Sequence, residues 1–178
     1  MMNQDPASIL IVEDELIVAE SLALDLTRKG YAISGIVSSG EEAINAIGLM
    51  QPDLILMDIM LKGFLDGIET TKAIQDQISV PIIYITAFSD QATLDRAKQA
   101  GETLHYLIKP IRLKDLVKMI EAVLTGTEVT GADSPQFLTP STVQQTAENY
   151  PNFPQSPASA QERGNYNNID LSFFDVDA

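Results

Sequence analysis

Five positions in this 178-residue chain carry side chains that packing alone does not explain: the adjacent acids Glu13 and Asp14, then Asp58, Thr86 and Lys109. Each follows a short apolar run: "ILIV" before the acid pair, "LILM" before Asp58, "PIIYI" before Thr86 and "HYLI" before Lys109. Carboxylates brought together beside apolar strands cost free energy unless a cation offsets them. Oxygen ligands select a hard ion, and a site of one or two carboxylates plus water suits Mg2+, which dehydrates reluctantly. Zinc would want His or Cys, whereas the chain has one His and no Cys.

Within such a group Asp58 stands alone on its run and is placed to act as a nucleophile, while Asp14, with Glu13, supports the metal. Lys109 would compensate the charge of an incoming phosphoryl group. Thr86 offers a hydroxyl to a phosphoryl oxygen, and Ala87 is small enough to leave the approach open. The acid pair can also cap the helix that follows it, a role compatible with metal binding.

Residues this far apart meet only if the strands that carry them end together. Residues 7–126 alternate short apolar runs with helix-period segments, the pattern of βα units around a parallel sheet. The expected order is β1 (Ser8–Val12), α1 (Glu15–Lys29, stopped by Gly30), β2 (Ala32–Val37) and α2, capped by Ser39 with Glu42 as its capping-box partner. Then come β3 (Asp53–Asp58), α3 (Gly67–Gln77, capped by Asp66), β4 from Pro81 to Ala87, α4 (Asp90–Ala100), β5 (Leu104–Lys109) and α5 (Leu113–Leu124). The fold expected is α/β, a doubly wound three-layer sandwich. In such sheets ligands gather outside the carboxyl ends of the strands, where all five residues fall.

Composition bounds the rest. With 45% apolar residues the chain can bury a core. A formal charge of −14, from 11 basic and 25 acidic residues, argues against direct nucleic-acid binding, because phosphate neutralisation needs clustered cations. Neither a leader nor a membrane span is legible, so the expected location is cytoplasmic. Residues 1–6 are expected to be disordered. From Thr127 the chain is rich in Pro, Gln, Asn, Ser and Thr, with only Arg163 against seven acids, and residues 127–178 are expected to form a disordered tail. Its last ten residues, "IDLSFFDVDA" (169–178), regain apolar side chains and suit either a docking motif or a solvated end.

Residues 7–126 resemble the receiver domain of two-component response regulators. The resemblance rests on five motifs in order: "ILIVEDE", "DLILMDIML", "DGIE", "PIIYITA" and "HYLIKP". It implies a flavodoxin-like (βα)5 fold with sheet order 2-1-3-4-5. It implies that Asp58 accepts a phosphoryl group from a sensor histidine kinase or a histidine phosphotransfer protein, by self-catalysed, Mg2+-dependent transfer followed by autodephosphorylation. The metal would be held by Asp14, Asp58 and the backbone carbonyl of Met60, with Glu13 orienting bound water. Thr86 and Tyr106 would form the switch: Thr86 moves toward the phosphate and Tyr106 turns from outward to inward, altering the α4-β5-α5 face. That face would then dimerise or bind a partner. The Lys109-Pro110 peptide would be cis.

Other readings are weaker. A haloacid-dehalogenase-like phosphatase wants a second acid two residues after the nucleophile, where Met60 stands. A nucleotide-binding module wants a Gly-rich loop after β1, and "VEDELIVAE" has none. Within the resemblance, a relay intermediate and a phosphorylation-independent scaffold are the alternatives. His105 reads as a surface or packing residue. The loop after Asp58 departs from the commonest pattern: Lys62 stands in place of the usual proline, and the loop is one residue longer. This leaves kinase pairing open. Lys62 either pairs with an anionic partner or, the simpler reading, solvates the loop.

Overall fold

The computed structural model describes residues 5–87, Arg96, 105–127 and the two-residue strand at 137–138. Its elements are β1 (Ser8–Val12), α1 (Leu16–Arg28), β2 (Ala32–Val37), α2 (Gly40–Met50), β3 (Leu54–Asp58), α3 (Gly67–Gln75), β4 (Ile82–Thr86), β5 (His105–Ile108), α5 (Leu113–Thr125) and β6 (Phe137–Leu138). The expected α4 lies outside the described residues except at Arg96, which is helical. The N-terminal four residues and most of the tail, 169–178 included, also lie outside them.

Five parallel strands stand in the order β2-β1-β3-β4-β5, as expected for a doubly wound sheet. Their side chains alternate between the two faces, which divides the core in two. Leu10, Val12, Ile55, Met57 and Tyr84 pack with Ala43 and Ile47 of α2 and Ile68 and Ile74 of α3. Ile9, Ile11, Leu54, Leu56, Ile83 and Ile85 pack with Ala19 and Leu26 of α1 and Leu116, Met119 and Ile120 of α5. The continuous apolar run of β3 therefore serves both faces. Every residue of β3 and β4 is buried, as expected of central parallel strands.

The sheet has a sixth member that the sequence does not announce. Phe137–Leu138 pairs antiparallel with the outer edge of β5, Leu138 opposite Tyr106 and Phe137 opposite Leu107. A two-residue strand is too short to show a period, so polarity of the surrounding segment hides it.

Local chemistry places the helix starts. Asp66 accepts from the backbone N–H groups of Ile68 and Glu69, and Glu69 returns a bond to the Asp66 N–H, a complete capping box. At α2 the expected box is only half formed. Ser39 accepts from the Glu42 N–H, but the Glu42 carboxylate turns to the N–H and hydroxyl of Ser38, one residue earlier. Two charge-assisted donors at Ser38 hold that carboxylate and keep it below its ordinary pKa.

The loop between β3 and α3 leaves Asp58 and comes back to it, with the Gly67 N–H donating to the Ile59 carbonyl at 3.0 Å. A Cβ at Gly67 would lie 2.1 Å from the Asp58 carbonyl oxygen and 2.9 Å from the Ile59 Cα. Both are backbone atoms and cannot swing aside. Gly67→Ala is expected to destabilise the domain by about 1–3 kcal/mol, read as a lower urea midpoint with an unchanged m-value.

Candidate functional site

Strand register brings the five residues to one edge. Val12 lies beside Met57, Asp58 beside Ile85, and Thr86 beside Ile108, so β1, β3, β4 and β5 end nearly level. Glu13 and Lys109 extend that row by one residue, their N–H groups donating to the carbonyls of Val37 and Thr86.

Glu13, Asp14 and Asp58 each present a carboxylate oxygen within 4.8 Å of the others. Glu13 and Asp58 are buried. Lys109 Nζ sits between them, 2.6 Å from Asp58 Oδ2 and 2.8 Å from Glu13 Oε2. Asp58 Oδ1 accepts from the Met60 N–H at 2.8 Å. Glu13 also reaches forward to α1, its Oε1 accepting from the Glu15 N–H at 3.4 Å, so one member of the acid pair does bond the helix start.

Burial, with the neighbouring Asp58 charge, holds the Glu13 carboxyl above the ordinary carboxylate value, against the lowering effect of Lys109. Burial works to lower the Lys109 ammonium, but its bonds to Asp58 and Glu13 outweigh burial and raise it. The amine therefore stays charged where it meets the acids.

Thr86 is buried at the end of β4. Tyr106 is only 1% exposed, with its ring stacked on Tyr84 at 5.6 Å between centroids. The ring is thus buried between the strands' side chains rather than exposed. Burial pushes the Tyr84 hydroxyl up to about 12, so it stays protonated at neutral pH. The Lys109-Pro110 peptide is cis, as expected. His105, at the start of β5, makes no part of the acid cluster, and burial lowers its pKa.

Two residues play parts that sequence reasoning did not assign. Lys62 does not merely solvate its loop: its Nζ lies 2.6 Å from Asp14 Oδ2. Contact with Asp14 raises the pKa of this ammonium. The departure of the loop from the common pattern was the available signal, but no spacing rule aims a loop lysine at a residue 48 positions away. Arg96, within the expected α4, meets the α3 cap Asp66 at 2.6 Å.

Fold and site together define a doubly wound α/β domain with an acidic, lysine-bridged pocket at the carboxyl edge of its sheet. The chain belongs to the response regulator receiver domain family, which it matches over residues 9–121. It is 37% identical over 129 residues to the transcriptional regulatory protein PdtaR of Mycobacterium tuberculosis, covering 72% of this chain and 62% of that one. It is 34% identical to the transcriptional regulatory protein AfsQ1 of Streptomyces coelicolor, covering 73% and 56%. The chain thus spans less than two thirds of the length of these curated relatives. Among solved structures, the signal receiver domain of a modulated diguanylate cyclase from Desulfovibrio desulfuricans G20 aligns with a TM-score of 0.64 and 38% identity, over 68% of this chain and 96% of that one. A putative response regulator from Chloroflexus aurantiacus aligns at 0.61 and 34% identity, over 67% and 98%. Receiver domains are signalling modules that interact with histidine kinases and use Mg2+ at an acidic pocket. Among the described residues no helix is long and apolar enough to cross a membrane.

Because Glu13 titrates above its unfolded value, its contribution to stability is full below about pH 4.5 and is lost as pH rises through the raised folded value. Lys109→Met removes the bond that opposes this rise. The variant is expected to lose about 1–3 kcal/mol at pH 7, with the deficit narrowing as pH falls toward 5. Urea unfolding at both pH values checks the sign.

Proposed function

We propose that Asp58 is the phosphoacceptor, taking a phosphoryl group from the phosphohistidine of a sensor histidine kinase or a phosphotransfer protein. The observation that carries this reading is the Lys109 bridge between Asp58 and Glu13. A buried carboxylate is oriented by a cation that can follow the charge onto a phosphoryl group. Asp58 attacks phosphorus through a carboxylate oxygen. A P–O bond forms as the P–N bond to the donor ring breaks; that ring carries a proton on its other nitrogen, so it leaves with the bond's electron pair as neutral imidazole. Hydrolysis of the acyl phosphate by water returns the carboxylate and releases inorganic phosphate.

The donor set fits a hard divalent ion, since three carboxylates converge and neither thiolate nor imidazole is among them. Asp14 and Asp58, with the backbone carbonyl of Met60, would hold Mg2+, and Glu13 would orient a water bound to it. When bound, the ion supplies charge neutralisation to the transferring phosphoryl oxygens. Lys109 pairs with one of those oxygens, and the Thr86 hydroxyl donates to another.

Signalling then proceeds through the α4-β5-α5 face. Thr86 is next to Ile108 in register and Tyr84 next to Tyr106, so a shift at Thr86 bears on the strand that carries Tyr106. This face would form a homodimer or take up a protein partner, with the 127–178 tail, and its end 169–178, as a tethered second contact.

Incubation with Mg2+ and acetyl phosphate, followed by intact-mass measurement, is expected to add one phosphate-sized increment to the wild type and none to Asp58→Asn. Equal gain on both proteins, or gain on neither, would rule Asp58 out as acceptor.

A further inference from the structure

Lys62 is mostly exposed along its stem, yet its ammonium ends on Asp14, whose side chain is only 9% exposed. The loop that carries it is tied on both sides. Asp58 Oδ1 accepts from the Met60 N–H at 2.8 Å, and Glu41 Oε1 accepts from the Phe64 N–H at 3.1 Å. Lys62 therefore starts from an anchored backbone two residues from each tie, and its reach to Asp14 is set by the loop rather than by chance.

The arrangement divides the acids between two lysines. Lys109 serves Glu13 and Asp58 from the β5 side, and Lys62 serves Asp14 from the β3-α3 loop. Their chemical settings differ. The Lys109 side chain is 22% exposed and makes two short bonds; the Lys62 side chain is 82% exposed and makes one. An exposed single pair is worth little and is screened by salt, so Lys62 is the cation that yields.

We propose that Lys62 and the divalent cation compete for Asp14, so that Lys62 lowers the metal affinity of the site. This rests on the metal assignment made under Proposed function. A dication and an ammonium cannot both sit against one carboxylate without repulsion, and three carboxylates with two ammoniums already sum to a single negative charge. Lys62 leaves Asp14 when the cation arrives. The cost of that displacement appears as weaker binding.

The test is Mn2+ binding followed by the electron paramagnetic resonance signal of the free ion, with Mg2+ as competitor, on the full chain. Lys62→Met is expected to bind about three- to tenfold more tightly than wild type at low ionic strength, and the gap is expected to close toward 1 M salt. Lys62→Arg keeps the charge and should stay near wild type. Lys72→Met removes the same charge from an exposed position on α3 and should also stay near wild type. Equal or weaker binding by Lys62→Met, or an equal gain in Lys72→Met, overturns the proposal. Asp14→Asn separates the two readings. If it binds as wild type does, or if the wild type binds no ion, the metal assignment falls and this inference with it. If Asp14→Asn is weakened while Lys62→Met is unchanged, only the competition is wrong.

Discussion

Three carboxylates from two neighbouring strands converge at one edge of the sheet, and their mutual repulsion is what the surrounding structure must hold in check. In open water such a cluster would disperse. Here Glu13 and Asp58 are buried and cannot turn away, and Lys109 reaches them from a strand 51 positions beyond Asp58. The parallel sheet makes this possible because all its strands end at the same edge. Removing water from around the cluster strengthens both the repulsion and the lysine bridge, so the balance between them is sensitive to any added charge. That sensitivity is what a module responding to phosphoryl transfer needs.

The same edge is joined to the rim of the sheet by contact. Thr86 ends β4 within the site, and two residues earlier Tyr84 stacks on Tyr106 of β5. β5 in turn carries the short antiparallel strand Phe137–Leu138 on its outer side. Central strands buried on both faces form a rigid base, while β5, paired with β4 on its inner side, has only the two-residue β6 on its outer side.

Much of the fold was legible because it rests on local signals. Apolar runs marked the five parallel strands, three of them to the residue or nearly so, and Asp66 marked the start of α3 as its cap, to which the structure adds Glu69 as the second half of a capping box. The box at α2 was misread for an equally local reason: Ser38 and Ser39 both compete for Glu42, and spacing cannot rank them. β6 was illegible because two residues carry no period.

For the site, residue order alone placed the acids at the strand ends, and with them the acid-rich, oxygen-donor chemistry of Glu13, Asp14 and Asp58 and the family that shares it. Residue type and strand order suffice for that, since a parallel sheet aligns its carboxyl ends whatever the loops do. How the side chains pair came from the packed fold: Lys109 bridging Glu13 to Asp58, Lys62 bound to Asp14, and Tyr106 stacked on Tyr84. Pairing is a matter of ångströms between side chains far apart in the chain, set by loop anchoring and burial, and no periodicity encodes it.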